Sequence, residues 1–414
     1  MPITNQKGAL SYCFMAPDFS TAARTLLPDL VALRRALHAD PEIGLDLPRT
    51  QRRVLDALAG LPLEITTGTG TTSIVAVLRG AHPGPVVLLR GDMDALPITE
   101  ATGLDFAATN GAMHACGHDL HTAGLVGAAK LLCERQSELH GSVIFMFQPG
   151  EEGDGGAKIM LDEGLLDAAG QRPVAAFAIH VGPGPRGIFA TRPGPATAGS
   201  SNLRVTVHGR GGHGSQPHLT LDPVPAAAEI VLALQSFVTR RFNAFDPVIV
   251  SVTRLSTDSG AINVIPETVD LAATVRHMSA ESLAILTEGL PRVINGVTAA
   301  HGLTASIDFT TTYPVSINNA NETDWAIDTL RTTFSDERVM VMPTPLMGSE
   351  DFAFVLNEIP GAMFFLMSSP PDADPATIEF NHSPRAVFDD AVLADQAAAL
   401  ATLAFARTTA SPAS

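Results

Sequence analysis

The chain has 414 residues, with 26 Lys or Arg against 43 Asp or Glu, so its formal net charge at pH 7 is −17. This balance argues against a nucleic-acid or anionic-membrane partner, because phosphate groups bind to positive surfaces. No apolar run approaches the roughly 18 residues of a membrane-spanning helix, and the first residues lack the pattern of a secretory signal. The three cysteines, Cys13, Cys116 and Cys133, do not form a disulfide framework pattern, so a cytoplasmic location is expected.

The first half of the chain alternates predicted helices and strands. The helices are predicted over 24–60 (with a break at Asp40-Pro41), 119–134 and 155–166, and the strands over 72–78, 86–90, 142–148 and 174–180. Short β-branched runs bounded by Gly or Pro are typical of buried strands. Their alternation with helices predicts an α/β fold with a mostly parallel sheet and helices on both faces.

After Pro193 the order changes. Strands are predicted over 202–208, 248–255, 268–276 and 303–310, and helices over 222–238 and 281–300. Asp222 is the expected cap of the first of these helices, with Pro223 in its first turn. The βαββαβ order is that of a ferredoxin-like unit. We therefore expect a domain at 195–307 inserted into a catalytic domain made of 1–194 and 308–414.

The last part of the chain returns to the first pattern. A helix is predicted over 322–334, a strand over 362–367 and a final helix over 388–408. The α/β core is thus expected to contain segments from both ends of the chain.

The most informative segment is HACGHDLH at 114–121, which contains three imidazoles, a thiol and a carboxylate. So many ligand-type side chains in one short loop favour metal binding over packing. Cys116 and His118 lie next to a predicted helix N-terminus, which favours a thiolate. His114 and His121 are expected to pack or to support ligands, and Cys13 and Cys133 to be inert.

Further candidate donors follow predicted strands or precede the last helix. They are Asp92, Asp94, Glu151, Glu152, His180 and His382. Taken singly, each has an ordinary interpretation as a helix cap, a solvated turn or a hydrogen-bonded side chain. Reactive groups in an open α/β sheet collect at the carboxyl ends of its strands. The joint pattern therefore favours a two-metal hydrolytic site, since thiolate, imidazole and carboxylate suit zinc and its neighbours.

The predicted inserted domain carries a second set of polar residues. The segment GRGGHGSQPH at 209–218 is Gly-rich like a phosphate-binding loop, but it lacks the Lys-Ser/Thr ending and the dinucleotide spacing. A flexible loop that presents His213 is the better interpretation. Asn263 adds an amide. Arg276 is either a surface strand residue or a clamp for a substrate carboxylate.

With these motifs in order, the sequence resembles the aminoacylase/carboxypeptidase group of two-metal peptidases. The branch it resembles contains hippurate hydrolases, auxin-amino-acid conjugate hydrolases and N-acetyl-diaminopimelate deacetylases. The resemblance runs from about His38 to the last helix through RGDMDALPI, MHACGHDLHT, FQPGEEG, AIHVGPG, GRGGHGSQPH, GAINVIPETVDLAATVR, GSEDFAF and NHSPR. It implies that the metal ligands are Cys116, His118, Glu152, His180 and His382.

The resemblance also implies roles outside the ligand set. Glu151 would be the general base, and His213 would reach the site of a partner subunit in a homodimer formed through the lid domain at 195–307. Asn263 and Arg276 would bind the substrate.

This branch departs from the wider group at one place. Related peptidases carry His-X-Asp where this chain has Asp92-Met93-Asp94, so the first ligand is absent there. Asp94 is then expected to serve catalysis by supporting other groups. Cys116 is the expected bridge between the two ions.

The expected activity is hydrolysis of the amide bond of small N-acyl amino acids. Two divalent ions are expected, Zn²⁺ or Mn²⁺, with Co²⁺ or Ni²⁺ also suited to these donors. The alternatives are a dipeptidase or carboxypeptidase with the same machinery, a catalytically silent metal- or ligand-binding homologue, and a structural zinc site. A spare acid beside Glu152 argues against a silent protein, and five scattered donors argue against a closed zinc site.

Overall fold

The computed structural model describes residues 17–374 and 376–409, so Cys13 lies outside the described residues. The described helices are α1 Phe19–His38, α2 Pro48–Leu58, α3 His118–Glu134, α4 Gly156–Asp162, α5 Pro223–Arg241, α6 Ala280–Ala300, α7 Ala320–Phe334, α8 Ala353–Glu358 and α9 Val392–Thr409. Within this part of the chain, no helix combines the length and the apolar character needed to cross a bilayer.

The strands belong to one large sheet, one four-stranded sheet and two short ribbons. They are β1 Leu63–Thr67, β2 Ile74–Arg79, β3 His82–Asp92, β4 His140–Gln148, β5 Ala175–Gly182, β6 Phe189–Thr191, β7 Gly194–Thr197, β8 Gly199–His208, β9 Gly212–His213, β10 Ile249–Thr257, β11 Val264–Ile265, β12 Thr268–His277, β13 Thr304–Tyr313, β14 Ser316–Asn318, β15 Val339–Val341 and β16 Gly361–Met367.

The large sheet has the order β1-β2-β4-β3-β5-β16-β6-β15. Its centre, β4-β3-β5-β16, is parallel throughout, and β1, β2 and β6 add antiparallel pairings toward the edges. Alternate residues of β3 enter different cores: Val87 and Leu89 pack with α1, α2, α3, α7 and α9, whereas Val86 and Leu88 pack with α4 and α8. The predicted α/β fold with helices on both faces is confirmed.

Helices α1, α3 and α9 pack closely on one face of this sheet. A Cβ atom at Gly127 of α3 would lie 2.7 Å from the Cβ atom of Ala397 in α9 and 2.8 Å from Leu30 Cδ1 in α1. Glycine therefore permits this approach, because real Cβ atoms do not come so near to other atoms. The contact fixes α3, whose first turn carries the candidate ligand His118.

The four-stranded sheet has the order β10-β12-β8-β13, all antiparallel, and packs against α5 and α6 around its own core. We call residues 199–313, with β8, α5, β10, β12, α6 and β13 and the segments between them, the βαββαβ unit; the order of these elements is the one predicted. Asp222 caps α5 by accepting from the Val224 amide at 3.0 Å. The domain boundaries at 194/195 and 307/308 remain a proposal, and β13 continues to Tyr313, beyond the second of them.

Several short elements were not predicted from the sequence. They are β1, β6, β7, β9, β11, β14, β15 and α8. Most have two to six residues, too few for an apolar period to be visible. The final helix also begins later than expected, at Val392 rather than 388, and α1 and α2 are separated by residues 39–47.

Candidate metal centre

The candidate donors meet where the central parallel strands end. Strand β3 ends at Asp92, β4 at Gln148 and β5 at Gly182. The turn before α3 depends on Gly117, which has φ +86° and whose Cβ atom would lie 2.3 Å from Val181 Cγ2. Only glycine fits such a left-handed turn pressed against a neighbouring strand. The turn brings Cys116 beside the end of β5.

The five expected ligands are brought together by these elements. The Sγ atom of Cys116 lies 3.4 Å from Nε2 of His180. Glu152 Oε1 lies 3.1 Å from His382 Nε2 and 3.9 Å from His118 Nε2. Donor atoms of Cys116, His118 and His180 lie within 4.8 Å of one another, and so do those of Cys116, Glu152 and His382. Cys116 is thus the member that the two groups share.

Two of the imidazoles are oriented by backbone carbonyls. His118 Nδ1 lies 2.9 Å from the Asp94 carbonyl oxygen, and His180 Nδ1 lies 2.7 Å from that of Val181. Because a carbonyl only accepts, both rings carry a proton on Nδ1 and turn Nε2 toward the donor cluster. The buried Nε2 atom of His118 has no hydrogen-bond partner. An uncompensated buried nitrogen facing other donors is the arrangement that a metal ligand requires.

The protonation of the cluster would change on metal binding. Burial raises the pKa of the Cys116 thiol to about 12, which outweighs the helix N-terminus that was expected to favour a thiolate. Burial lowers the pKa of His118, but the charge of Asp92 3.6 Å away raises it overall. Both groups would give up a proton to a bound cation, as metal binding does elsewhere. The thiol, imidazole and carboxylate donors fit zinc-like ions.

His382 completes the cluster from its rim. Its side chain is 52 % exposed, its φ is +71°, and its amide donates to the Ala115 carbonyl at 2.9 Å. The preceding Asn381 donates its side-chain amide to the carbonyls of Cys116 and Val181, at 3.1 and 3.2 Å. Asn381 was not predicted as a site residue, although its position beside His382 was a signal.

Asp94 supports the acid pair instead of joining the donor cluster. Its two carboxylate oxygens accept from the Glu151 and Glu152 amides, each at 3.0 Å. The role implied by the resemblance, support for other groups, is compatible with this position. The loop that carries both acids is therefore tied to the end of β3.

The two adjacent acids have different surroundings, although donor atoms of both lie within 4.8 Å of one of His118. Glu152 faces His382, and that hydrogen bond opposes the effect of burial, so the pKa of Glu152 is lowered overall. Glu151 is buried, and its Oε1 accepts from the Asp351 amide at 3.4 Å. Burial and the charges of Glu350 and Glu152 raise the pKa of Glu151 well above its ordinary value. Glu151 is therefore the more basic of the two carboxylates.

A buried charge network behind the cluster was missed in the sequence. Arg90 NH1 lies 2.6 Å from Asp92 Oδ2, and its NH2 lies 2.8 Å from Glu350 Oε1 and 3.2 Å from Asp351 Oδ1. The signals were Arg90 in RGDMDALPI and Glu350-Asp351 in GSEDFAF, which were used only for the resemblance.

The other two histidines of the HACGHDLH segment differ from the expected ligands: His121 has both ring nitrogens occupied, and His114 belongs to no candidate metal group among the described residues. His121 Nδ1 lies 2.5 Å from Asp92 Oδ1, and its Nε2 accepts from the Val181 amide at 2.8 Å, so both ring nitrogens are occupied. His114 is buried against the His38 ring, and burial lowers its pKa to about 3. Both positions agree with packing or supporting roles.

The three expected substrate residues of the βαββαβ unit lie apart from the donor cluster. His213 is exposed and its Nδ1 accepts from the Ser215 amide at 3.2 Å, while the Asn263 carbonyl accepts from the Gly214 amide at 2.8 Å. Arg276 is partly buried and donates to the Ser200 hydroxyl. Among the residues described, none of the three is hydrogen-bonded to a candidate ligand.

Residues 88–406 match the model of "Peptidase family M20/M25/M40". The chain is 35% identical over 381 residues to thermostable carboxypeptidase 1 of Saccharolobus solfataricus, covering 91% of this chain and 94% of that protein. It is 35% identical over 393 residues to IAA-amino acid hydrolase ILR1-like 5 of Arabidopsis thaliana, covering 91% and 86%. N-acetylcysteine deacetylase of Bacillus subtilis is 35% identical over 335 residues, covering 80% and 86%.

The fold is shared with the YXEP protein of Bacillus subtilis, whose crystal structure is described as that of a dinuclear metal-binding peptidase. The TM-score is 0.79 at 30% identity, covering 93% of this chain and 99% of the other. These matches extend over most of the chain, and the family match over 88–406 includes every candidate ligand. The chain is a hydrolase of peptidase family M20/M25/M40, as the motifs had indicated.

Proposed function

We propose that the protein hydrolyses the amide bond between an acyl group and an amino acid, with Glu151 as the general base. The observation that carries the proposal is the different surroundings of the acid pair. Both acids have a donor atom within 4.8 Å of one of His118, but Glu152 also lies with Cys116 and His382, whereas Glu151 also lies with the buried acids Glu350 and Asp351. One carboxylate can then hold a metal while its neighbour accepts a proton.

The proposed ligands are Cys116, His118, Glu152, His180 and His382. When bound, two divalent ions would polarise the amide carbonyl and lower the pKa of a water molecule. Glu151, whose pKa is raised by burial, would accept the proton of that water and later donate it to the leaving nitrogen. Zn²⁺ and Mn²⁺ are the ions that we propose, with Co²⁺ or Ni²⁺ as alternatives.

The substrate would be held from the βαββαβ unit. Arg276 offers a planar fork that can pair with the free carboxylate of an N-acyl amino acid. Asn263 would orient the substrate, and His213 would stabilise the developing oxyanion. These residues do not touch the donor cluster in the structure, so the proposal requires the unit to close over the site, as active-site lids do.

We further propose a homodimer paired through residues 195–307, in which His213 serves the site of the partner. Strand β10 is an edge strand of its sheet, and exposed edges invite pairing with another chain. The same unit exposes large apolar side chains, with Leu232 71 %, Leu255 53 % and Phe245 97 % accessible. A cytoplasmic location remains our expectation, because both described cysteines are free thiols.

The experiment is a hydrolysis screen of N-acetyl, N-benzoyl and longer N-acyl amino acids beside simple dipeptides, with Zn²⁺ or Mn²⁺ added. We expect the N-acyl amino acids to be preferred. The carboxypeptidase among the relatives supports the second candidate function, which a preference for dipeptides would select. Methyl esters should react about 10- to 150-fold more slowly, since a charge-assisted contact is worth roughly 1.5–3 kcal/mol. Equal kcat/KM for acid and ester would remove Arg276 from its role.

A further inference from the structure

The hydroxyl of Tyr313 lies within the loop that carries the acid pair. It donates to the Glu151 carbonyl at 2.5 Å and accepts from the amides of Gly153 and Gly155 at 2.8 and 3.3 Å. The side chain is 5 % exposed, and its ring packs edge-on against Phe354. One hydroxyl group therefore satisfies three backbone groups of a single turn.

This loop cannot hold itself together by regular backbone pairing. Gly150, Gly153 and Gly155 have φ angles of +69°, +113° and +68°, which interrupt any helix or strand. The loop amides on one side are bound by Asp94, and the groups on the other side are bound by Tyr313. Without the hydroxyl, the Glu151 carbonyl would keep only the Gly153 amide, at 2.7 Å, and the Gly155 amide would lose its acceptor. Buried polar groups are costly to leave unpaired.

Tyr313 belongs to the βαββαβ unit as the last residue of β13. A bulge at Thr312 sets Tyr313 opposite Ser200 of β8. Ser200 is also the cross-strand partner of Arg276 in β12 and accepts a hydrogen bond from its guanidinium group. Cross-strand partners lie side by side. Arg276, Ser200 and Tyr313 therefore form a continuous row across three strands that ends at the loop of Glu151.

We propose that Tyr313 is a positioning residue that fixes Glu151 and couples its loop to the strand that carries Arg276. The inference rests on the proposed function for the roles of Glu151 and Arg276. Binding of the substrate carboxylate at Arg276 and proton transfer at Glu151 are then linked through this row, at the end of β13 where the unit meets the acid loop.

The first test is Tyr313→Phe, which removes the hydroxyl and keeps the ring. The matched control is Thr311→Val, on the same strand as Tyr313. It removes a hydroxyl group that accepts a hydrogen bond from Ser201 of β8. We expect Tyr313→Phe to lower kcat about 10- to 100-fold, as small misplacements of reacting groups do, with KM within about threefold and metal content unchanged. Thr311→Val should resemble the wild type. A Tyr313→Phe protein with wild-type kcat, or one that loses activity only in proportion to lost metal, would overturn the proposal.

Amide hydrogen exchange tests the same contact without any activity. The peptide 149–157 should exchange about tenfold faster in Tyr313→Phe than in the wild type or Thr311→Val, because the Gly155 amide loses its acceptor and the Gly153 amide keeps only the Glu151 carbonyl. Unchanged exchange would overturn the positioning role. If the wild type hydrolyses no N-acyl amino acid, the proposed function fails, and the exchange result still decides what Tyr313 does.

A third measurement keeps the hydroxyl group of Tyr313. The chain has two tyrosines, so Tyr12→Phe leaves Tyr313 as the one site for 3-fluorotyrosine. Its ¹⁹F resonance in the metal-loaded Tyr12→Phe, Glu151→Gln protein should shift when an N-acetyl amino acid is added, and Arg276→Gln should abolish the shift. If calorimetry shows that the ligand binds and the resonance does not shift, the proposed coupling is wrong.

Discussion

The NH1 nitrogen of Arg90 lies 2.6 Å from the Oδ2 atom of Asp92, and both side chains are almost fully buried. The same guanidinium group bonds Glu350, while the other oxygen of Asp92 holds His121. The pair therefore links the carboxyl end of β3 to the loop before α8 and to helix α3. Burial of either charge alone would cost much free energy, and the protein can bury both because they are paired.

Removal of Arg90 should destabilise the protein strongly. Arg90→Met leaves Asp92, Glu350 and Asp351 buried without their cation, and breaking a buried pair in this way costs about 3–5 kcal/mol. The control is Arg52→Met, which breaks the exposed Arg52–Asp56 pair and should cost about 1 kcal/mol or less. Urea unfolding of both variants measures the difference. Equal losses would show that the buried network contributes no more than a surface pair.

Cys116 should be required for metal binding, because it belongs to both donor groups. Cys116→Ala should take up less metal than the wild type after chelation and reloading, as should the double variant Cys116→Ala, His180→Ala. Cys133→Ala is the control, since this half-buried thiol on α3 is not in a candidate metal group. Elemental analysis per chain gives the answer. Undiminished metal in the double variant would refute the ligand assignment.

The acid pair should separate into a base and a ligand. Glu151→Gln keeps the shape of the side chain but cannot accept a proton, so it should retain metal and lose about 10²–10⁴ of kcat. Glu152→Gln should bind metal more weakly and recover part of its activity in excess metal. Near-wild-type turnover by Glu151→Gln would overturn the mechanism. If Glu151→Gln loses metal and Glu152→Gln does not, the two roles are exchanged, and the proposed reaction class still holds.

Mixed dimers should reveal whether His213 acts on the partner's site. A Glu151→Gln chain and a His213→Ala chain are each expected to be inactive. In a mixed dimer one site would contain both intact residues, and up to about a quarter of the total sites would regain activity if the chains mix at random. Native mass spectrometry confirms subunit exchange. Exchange without recovered activity would place His213 on its own subunit's site or outside catalysis.

His38 should stabilise the fold in a pH-dependent way. Its Nδ1 lies 2.7 Å from Asp119 and its Nε2 3.1 Å from Glu100. Burial lowers the pKa of His38, but the charge of Asp119 and these hydrogen bonds raise it overall. A raised folded-state pKa adds stability below the ordinary value of about 6.5 and loses it as the pH rises through the folded value.

The difference in unfolding free energy between the wild type and His38→Gln should therefore be larger at about pH 6 than at about pH 9. Urea titrations at the two pH values measure it. His301→Gln provides a surface control, because its partner Glu229 is largely exposed. If the difference in unfolding free energy between the wild type and His38→Gln instead increases with pH, His38 is neutral in the folded protein.

Sequence patterns predicted the long elements well and the short ones poorly. The strands β3, β4 and β5 are apolar runs with clear boundaries, and α5 has both its cap and its proline. Strands β6 and β15 have three residues each, too few to show an apolar period. They form because neighbouring strands complete their hydrogen bonds. The bulge at Thr312 has no local signal either, since it arises from pairing with β8.

For the candidate site, the motifs indicated five donors that lie together in the structure, and also His213, Asn263 and Arg276, which are not grouped with them. They did not indicate what holds the cluster. Cys116 and His382 are recognisable by type and by motif. The partners of a carboxylate are not recognisable in this way. Arg90 and Glu350 are far apart in the sequence, and Tyr313 contacts the acid loop from another sheet. Such contacts depend on the packing of whole elements, which a single sequence does not display.

The pairing of β16 with β5 has a consequence for synthesis. All of the βαββαβ unit is made between these two neighbouring strands, and His382 follows β16. At ordinary translation rates a nascent chain therefore waits on the order of ten seconds or more between completing β5 and receiving its neighbour. During that interval the apolar edge of β5 is open to pairing with other chains. Chaperone demand should be greatest then, before the ribosome has delivered the residue that completes the donor cluster.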